Sequence, residues 1–269
     1  MPVAARRARA LALALATGLS MLSALVTTAA PAQPGADGRR SGLLDMSPAL
    51  QALQRDDSQN PGLLAVADGA ALWREPAGAA GRRCADCHGE AERSMKGVAA
   101  TYPAWDAASG RPLSLAGRVN ACRVRHQQAA PWAPESAELL AVTAYLGLQS
   151  RGQAIAPPAD ARLAPWRAQG QALWGQRLGQ LNLACLHCHD QRAGLKLGGA
   201  VIPQGHPTGY PIYRLEWQGL GSLQRRLRSC VAGVRAEPWA PTADEWLALE
   251  AYLAVRAAGM AVETPAVRP

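Results

Sequence analysis

The chain has 269 residues, 49% of them hydrophobic, with eight Trp, five Tyr and no Phe, enough for an ordinary core in one large or two average domains. Lys and Arg number 28 against 20 Asp and Glu, a net charge of +8. The basic residues are not interleaved with aromatic blocks, which excludes a nucleic-acid footprint and leaves small anions or an acidic partner as counterparts of the excess.

Arg6, Arg7 and Arg9 precede an apolar run from Ala10 to about Val26, and Ala30-Pro31-Ala32 is an A-x-A cleavage site. Residues 1–32 therefore read as a secretory signal peptide. Thr28-Ala29-Ala30 is a poorer site, because Pro31 would follow the cut. The run is just long enough for an uncleaved anchor, but the small-residue site and the proline-rich sequel favour cleavage. Ala8-Arg9 is a poor sequel to a twin-arginine pair, so general export is expected. No second long apolar run follows, which places the mature chain in the periplasm without a membrane span. It keeps 25 of the 28 basic residues and all 20 acidic ones, a net charge of +5.

Residues 33–68 read as an N-terminal extension. Pro34-Gly35, Asp37-Gly38 and Asn60-Pro61-Gly62 are turn signals, and the apolar pattern around Leu50 and Leu53 is too short for a long helix.

From Gly69 the sequence repeats itself. Gly69, Leu72-Trp73 and Cys84-Ala-Asp-Cys87-His88 recur 101 residues later as Gly170, Leu173-Trp174 and Cys185-Leu-His-Cys188-His189. Tyr102-Pro103, Ser114-Leu115, Arg118 and Cys122 recur 108 residues later as Tyr210-Pro211, Ser222-Leu223, Arg226 and Cys230, so the second copy carries seven extra residues. Pro131–Leu146 and Pro238–Leu253 share 10 identities in 16 positions. Copies of this size are domains, 69–150 and 151–269, with Ser150-Arg151-Gly152 and Ala156-Pro157-Pro158-Ala159 as the linker.

Each copy shows a helix around its Leu-Trp pair, a loop-rich middle and a final helix after Pro134 or Pro241. Leu139, Leu140, Val142 and Leu146, and Trp246, Leu247, Leu249 and Leu253, recur at helical spacing. Thr242-Ala-Asp-Glu245 has the form of a capping box. Nothing reads as a sheet, so the expected class is all-α with long loops.

Four of the six cysteines form the two Cys-x-x-Cys-His motifs, which read as covalent c-type haem attachment. Two intervening residues let both thiols reach the vinyl-derived carbons of one porphyrin, and the adjacent histidine turns onto the iron. Zinc ligation and a redox dithiol are the competing readings. Two copies in an exported protein, each between a helix and a long loop, favour two haems in tandem cytochrome c-like domains. His88 and His189 are then the proximal ligands, and His187 is a spacer residue.

The opposite ligand can be sought by counting. Met260 is the only methionine after His189 and has no counterpart in the first copy, and Met95 follows His88 too closely. His126 and His206 do not match each other in the repeat. Cys122 and Cys230 do match, and the repeat favours thiolate ligation of both irons over a disulfide between the copies. Such ligation stabilises Fe(III) and implies low potentials.

Cys230 stands behind Arg225, Arg226 and Arg228, a denser cationic setting than that of Cys122 with Arg118, Arg123 and Arg125. Arginines offer forked donors to anionic oxygens, although a solvated basic face or haem-propionate partners would have the same composition. Arg226, four residues before Cys230, is the first candidate for an anion ligand, and Arg256 the second.

At these residues the sequence resembles the SoxA family, the dihaem catalytic cytochromes of bacterial thiosulfate oxidation. The resemblance covers nearly the whole mature chain. It runs through Gln54-Arg-Asp-Asp57, Met95-Lys-Gly-Val98, Asn120-Ala-Cys122-Arg123, Gln149-Ser-Arg-Gly152, Cys230-Val-Ala-Gly-Val-Arg235 and Tyr252-Leu253 with Arg256. It implies that the first haem serves electron transfer or structure, that Cys230 carries a persulfide as the active-site residue, and that Arg226 contacts substrate. It further implies a monohaem partner, SoxX, and a carrier, SoxYZ, whose cysteine is coupled to thiosulfate as electrons pass to SoxX and a downstream cytochrome c. The competing functions are a thiosulfate dehydrogenase forming tetrathionate, a non-catalytic electron-transfer cytochrome and a dihaem peroxidase. Each predicts a ligand pattern other than a paired cysteine in both copies.

Overall fold

The computed structural model describes residues 37–269, so the signal-peptide segment 1–32 lies outside the described residues. A Ser41-capped 3-10 turn, Gly42–Asp45, leads to α1 (Pro48–Arg55), whose N-cap Ser47 accepts from Leu50 N. The first copy then runs through α2 (Gly62–Arg74), the motif helix α3 (Cys84–His88), α4 (Ala91–Ser94), the hairpin β1 (Ala104–Asp106) and β2 (Arg111–Leu113), α5 (Leu115–Cys122) and α6 (Ala137–Leu148). The second runs through α7 (Ala164–Gly175), the motif helix α8 (Cys185–His189), a small hairpin β3 (Lys196–Leu197) and β4 (Ala200–Val201), β5 (Ile212–Arg214), β6 (Gly219–Gly221), α9 (Leu223–Gly233) and α10 (Asp244–Arg256). Strand β7 (Ala266–Arg268) closes the chain by pairing parallel to β5.

The two copies are assembled by the same device. Helix α2 packs on α6 with Gly69 at the crossing, where a Cβ would stand 2.2 Å from the Ala141 carbonyl oxygen. Helix α7 packs on α10 with Gly170 in the equivalent place, 2.0 Å from the Ala248 carbonyl oxygen. No side chain fits either position, so the helices touch backbone to backbone. The apolar stripes of α6 and α10 are buried as their spacing predicts, including Leu139, Leu140, Val142, Leu146, Trp246, Leu247, Leu249 and Leu253.

Sheet is present in small amounts, against expectation. Hairpins β1–β2 and β5–β6 occupy equivalent positions in the two copies and pair antiparallel. Each strand has only three residues, too few for a period-two pattern to register in sequence. The capping box at Thr242 also does not form: α10 begins at Asp244 with Ala243 at the N-cap and no side-chain cap bond. Its counterpart α6 is capped, by Ser136 accepting from Leu139 N.

The N-terminal extension is tied to the chain's other end. Gln54 Oε1 accepts from Val267 N at 3.0 Å, and Asn60 Nδ2 donates to Pro265 O at 3.0 Å. Both side chains are buried, so these bonds satisfy polar groups that would otherwise be costly. Arg151 grips Asp57 with two bonds of 2.7 and 2.6 Å. Among the described residues no helix is long and apolar enough to cross a membrane.

Candidate active site

Each Cys-x-x-Cys-His motif folds as one short helix and sets its histidine against a tryptophan. Trp73 and His88 lie 5.6 Å apart between centroids, tilted by 35°, and Trp174 and His189 lie 5.6 Å apart, tilted by 32°. The motif helices are opened by equivalent residues. Asp86 accepts from Arg83 N at 2.8 Å, and His187 Nδ1 accepts from Ala184 N at 2.8 Å, so His187 is a helix cap rather than a mere spacer.

The second histidine is more enclosed than the first. His189 Nδ1 donates to Pro203 O at 2.7 Å, which fixes the tautomer and leaves the Nε2 lone pair free. Burial holds its pKa below the ordinary imidazole value, and the nearby Arg226 and Arg256 act in the same direction. Gly205, at φ +75°, passes so close that a Cβ would stand 3.1 Å from Trp174 and 3.2 Å from the His189 ring. The loop that carries the extra residues of the second copy thus packs against the histidine.

Arg256 belongs to this same face. Its guanidinium lies 4.5 Å from the Trp174 centroid and donates to Asp190 Oδ1 at 2.7 Å, while Trp174 Nε1 donates to Asp190 Oδ2 at 2.8 Å. In the first copy Gly89 replaces Asp190, and Trp73 bonds the Gly89 carbonyl instead. Arg256 thus stacks on the tryptophan that backs His189 and pairs with Asp190.

None of the six cysteines is disulfide-bonded. Cys122 ends α5, and burial pushes its thiol pKa up against the opposing pull of Arg118 and Arg125, with Cys87 close enough to contribute. Cys230 lies in α9. Burial pushes Cys185 to about 11, and Cys230 is the largest charged contributor in the same direction. Each lone cysteine thus faces the motif of its own copy, and a disulfide between the copies does not form. Met95 is buried in the first core cluster, Met260 packs with Ala100, Ile155 and Val262, and His126 is exposed.

The two cysteine settings differ most in one residue that sequence reasoning passed over. Asp106 ends β1 and collects two arginines: Arg118 Nη1 donates to Oδ1 at 2.7 Å, and Arg125 donates through both Nη atoms at 2.9 and 2.6 Å. These bonds, with those of Ser109, hold the Asp106 carboxyl well below the usual carboxylate range. The residue 108 positions later, ending β5, is Arg214. The repeat was readable at this spacing, so the charge inversion was available from the sequence.

Its consequence is electrostatic. Arg226, the counterpart of Arg118, makes no side-chain hydrogen bond or ion pair among the described residues. The conserved geometry around it is clear from the tyrosines. Arg118, Cys122 and Asp106 act on Tyr102, and Arg226, Cys230, Arg268 and Arg214 act on Tyr210, whose burial pushes it to about 12. The first copy is internally neutralised beside its cysteine; the second is left cationic.

Asp106 makes a pH-dependent contribution. Its pKa is lowered on folding, so the stabilisation is complete above the ordinary value of 3.8 and is lost as pH falls through the lowered value. Asp106→Asn is expected to lower the thermal midpoint at neutral pH, with the gap to wild type narrowing as pH falls below 3.8. Melting curves across pH check it.

Comparison with known proteins rests on these features. A family model described as the SoxA/TsdA cytochrome c domain matches residues 68–155 and 169–262, one match in each copy. SoxA of Pseudaminobacter salicylatoxidans, named an L-cysteine S-thiosulfotransferase subunit, is 39% identical over 241 residues, covering 89% of this chain and 84% of that one. The chain belongs to the SoxA family. SoxA of Rhodovulum sulfidophilum is 34% identical, covering 86% of this chain and 81% of that one. The crystal structure of SoxXA from P. pantotrophus superposes with a TM-score of 0.82 at 33% identity, covering 86% of this chain and 87% of that one.

Two cytochrome c domains imply haem. In this SoxA-family chain the donors present fit it: a pair of thiols one helical turn apart, an imidazole with Nδ1 anchored and Nε2 free, and a further thiol facing the same motif. The buried Nε–H of Arg214 has no acceptor in the protein.

Proposed function

We propose that the chain is the SoxA-type subunit of an L-cysteine S-thiosulfotransferase, which couples thiosulfate to a cysteine of a carrier protein in the periplasm after residues 1–32 are removed. Domains 69–150 and 151–269 each hold one covalently attached haem. Cys84 and Cys87, and Cys185 and Cys188, form the thioether links. His88 and His189 would bind the irons as proximal ligands, and Cys122 and Cys230 would supply the further thiolate donors. The observation that carries the reading is the pairing of Cys230 with Arg226, one helical turn before it on α9 and free of any neutralising carboxylate.

Arg226 binds the oxygens of thiosulfate and orients its terminal sulfur toward Cys230. The Cys230 thiolate and that sulfur form a bond, releasing two electrons. The carrier thiolate then attacks the same sulfur, and the bond to Cys230 breaks with Cys230 leaving as thiolate. Thiosulfate and the carrier thiolate have become an S-thiosulfonate, and the charge balances with the two electrons lost. Haem, when bound, would supply a one-electron relay through which the two electrons leave in succession. They pass on to SoxX, the monohaem partner, and to a downstream cytochrome c.

The test uses haem-loaded protein with SoxX, thiosulfate and SoxYZ. Mass spectrometry of the carrier is expected to find one added S-thiosulfonate for every two electrons collected. Tetrathionate as product with an unmodified carrier would overturn the reading in favour of a thiosulfate dehydrogenase.

A further inference from the structure

Arg214 is the most unusual charge in the second copy. It ends β5, where the first copy has the aspartate that neutralises both arginines beside Cys122. Its side chain is mostly buried, 13% exposed, and its Nε–H has no acceptor in the protein. The guanidinium sits 5.1 Å from the Trp217 centroid, and Arg225 lies 4.1 Å from the same ring. Trp217 in turn is pressed onto Gly221, where a Cβ would stand 2.2 Å from the ring. Arg214 is thus held in place by a rigid aromatic. Its one ionic partner is Glu216, at 2.7 Å and itself 61% exposed, a pair that solvent largely screens.

Nothing in the protein accounts for a second buried cation beside Arg226. Arg214 and Arg226 occupy the positions at which Asp106 and Arg118 bond at 2.7 Å in the first copy, so two like charges stand where a pair stood, and burial with the charge of Arg226 lowers the pKa of Arg214. Such an arrangement costs stability unless an anion bridges it. The neighbouring cations are otherwise occupied or misplaced. Arg268 is bonded to Gln54 and Glu263, and Arg225 is stacked on Trp217. Arg228 is two residues from Cys230, hence on the other side of α9, whereas Arg226 shares the face of Cys230.

We propose that Arg214 is a second anion-binding residue, which together with Arg226 clamps the oxyanion end of a small sulfur oxyanion beside Cys230. This rests on the reading above for the identity of the reaction, but the clamp itself is a statement about binding. Two forks on one tetrahedral oxyanion orient it as well as hold it. The inversion from Asp106 to Arg214 is then what makes one copy a substrate site and the other not.

The experiment is a calorimetric titration of thiosulfate into haem-loaded Cys230→Ala protein, which cannot turn over, alongside steady-state kinetics in the Cys230 background. Arg214→Gln is expected to weaken binding and raise KM for thiosulfate about tenfold to a hundredfold, the scale of one lost charge-assisted contact, with a smaller change in kcat. Arg214→Lys should recover part of the loss. Arg214→Asp, which restores the first copy's pattern and ties up Arg226, should abolish binding. Unchanged affinity in Arg214→Gln overturns the clamp. So does a shifted haem midpoint potential with unchanged affinity, which would make Arg214 a haem-propionate partner. Should Arg214→Gln fail to fold, the Lys and Asp variants decide by the same readouts. If wild type binds thiosulfate through Arg214 yet does not modify the carrier, the clamp stands and the proposed reaction falls.

Discussion

Replacing Cys230 with alanine is expected to lower carrier coupling by on the order of a thousandfold or more, the scale of losing a covalent nucleophile. The haems should stay attached, because the proposed thioether links involve Cys84, Cys87, Cys185 and Cys188 rather than Cys230, and the motif helices are capped locally, by Asp86 and His187. Cys122→Ala is the matched control. It should disturb the first haem's spectrum while leaving most coupling activity, because its arginines are already neutralised by Asp106. Equal losses in the two variants would mean that cysteine ligation, not sulfur chemistry at one copy, is what coupling requires.

The second large effect is on stability. Gly170→Val places a branched side chain where even a Cβ would lie 2.0 Å from the Ala248 carbonyl oxygen, in backbone that cannot yield without separating α7 from α10. Overpacking at a helix crossing of this kind costs about 3 kcal/mol, and at a few degrees per kcal/mol the thermal midpoint of a chain this size should fall by roughly 10 °C. Gly69→Val should do the same through α2 and α6, where the clash is with Ala141. Thermal melts of the haem-loaded variants check both. A midpoint within a degree of wild type would mean that the helices are not in backbone contact.

Much of this was legible in sequence because the chain states it twice. The helices around Leu72-Trp73 and Leu173-Trp174, and the final helices α6 and α10, followed from apolar spacing at a helical period. The pairing of Cys122 with Cys230 followed from the 108-residue offset. What escaped has physical reasons. Three-residue strands such as β1 and β5 carry no periodic signal, so the hairpins that position Asp106 and Arg214 were read as loop. Thr242 has the right residue type for a cap, but α10 starts one residue too late to use it. The extra loop of the second copy could be counted but not placed, since only the fold brings Pro203 O onto His189 Nδ1. The Asp106-to-Arg214 inversion is different. It lay at the same 108-residue offset as the cysteines and needed only to be compared.

That inversion sharpens the division of labour between the copies. Around Cys122 three charges close on one another and leave nothing for a ligand. Around Cys230 the same backbone frame presents two guanidiniums, Arg226 without a carboxylate partner and Arg214 with only the exposed Glu216. On the other face of the second motif, Trp174, Asp190, Arg256 and the Pro203 carbonyl hold His189 in a fixed orientation that the first copy lacks. A rigid histidine and a cationic setting around Cys230 are what a site for anionic sulfur chemistry needs.

The most direct test is a crystal structure of the haem-loaded protein that identifies the atom opposite His189. The account predicts the sulfur of Cys230, bare or extended by further sulfur. Met260, His206 or a water molecule in that position would contradict it.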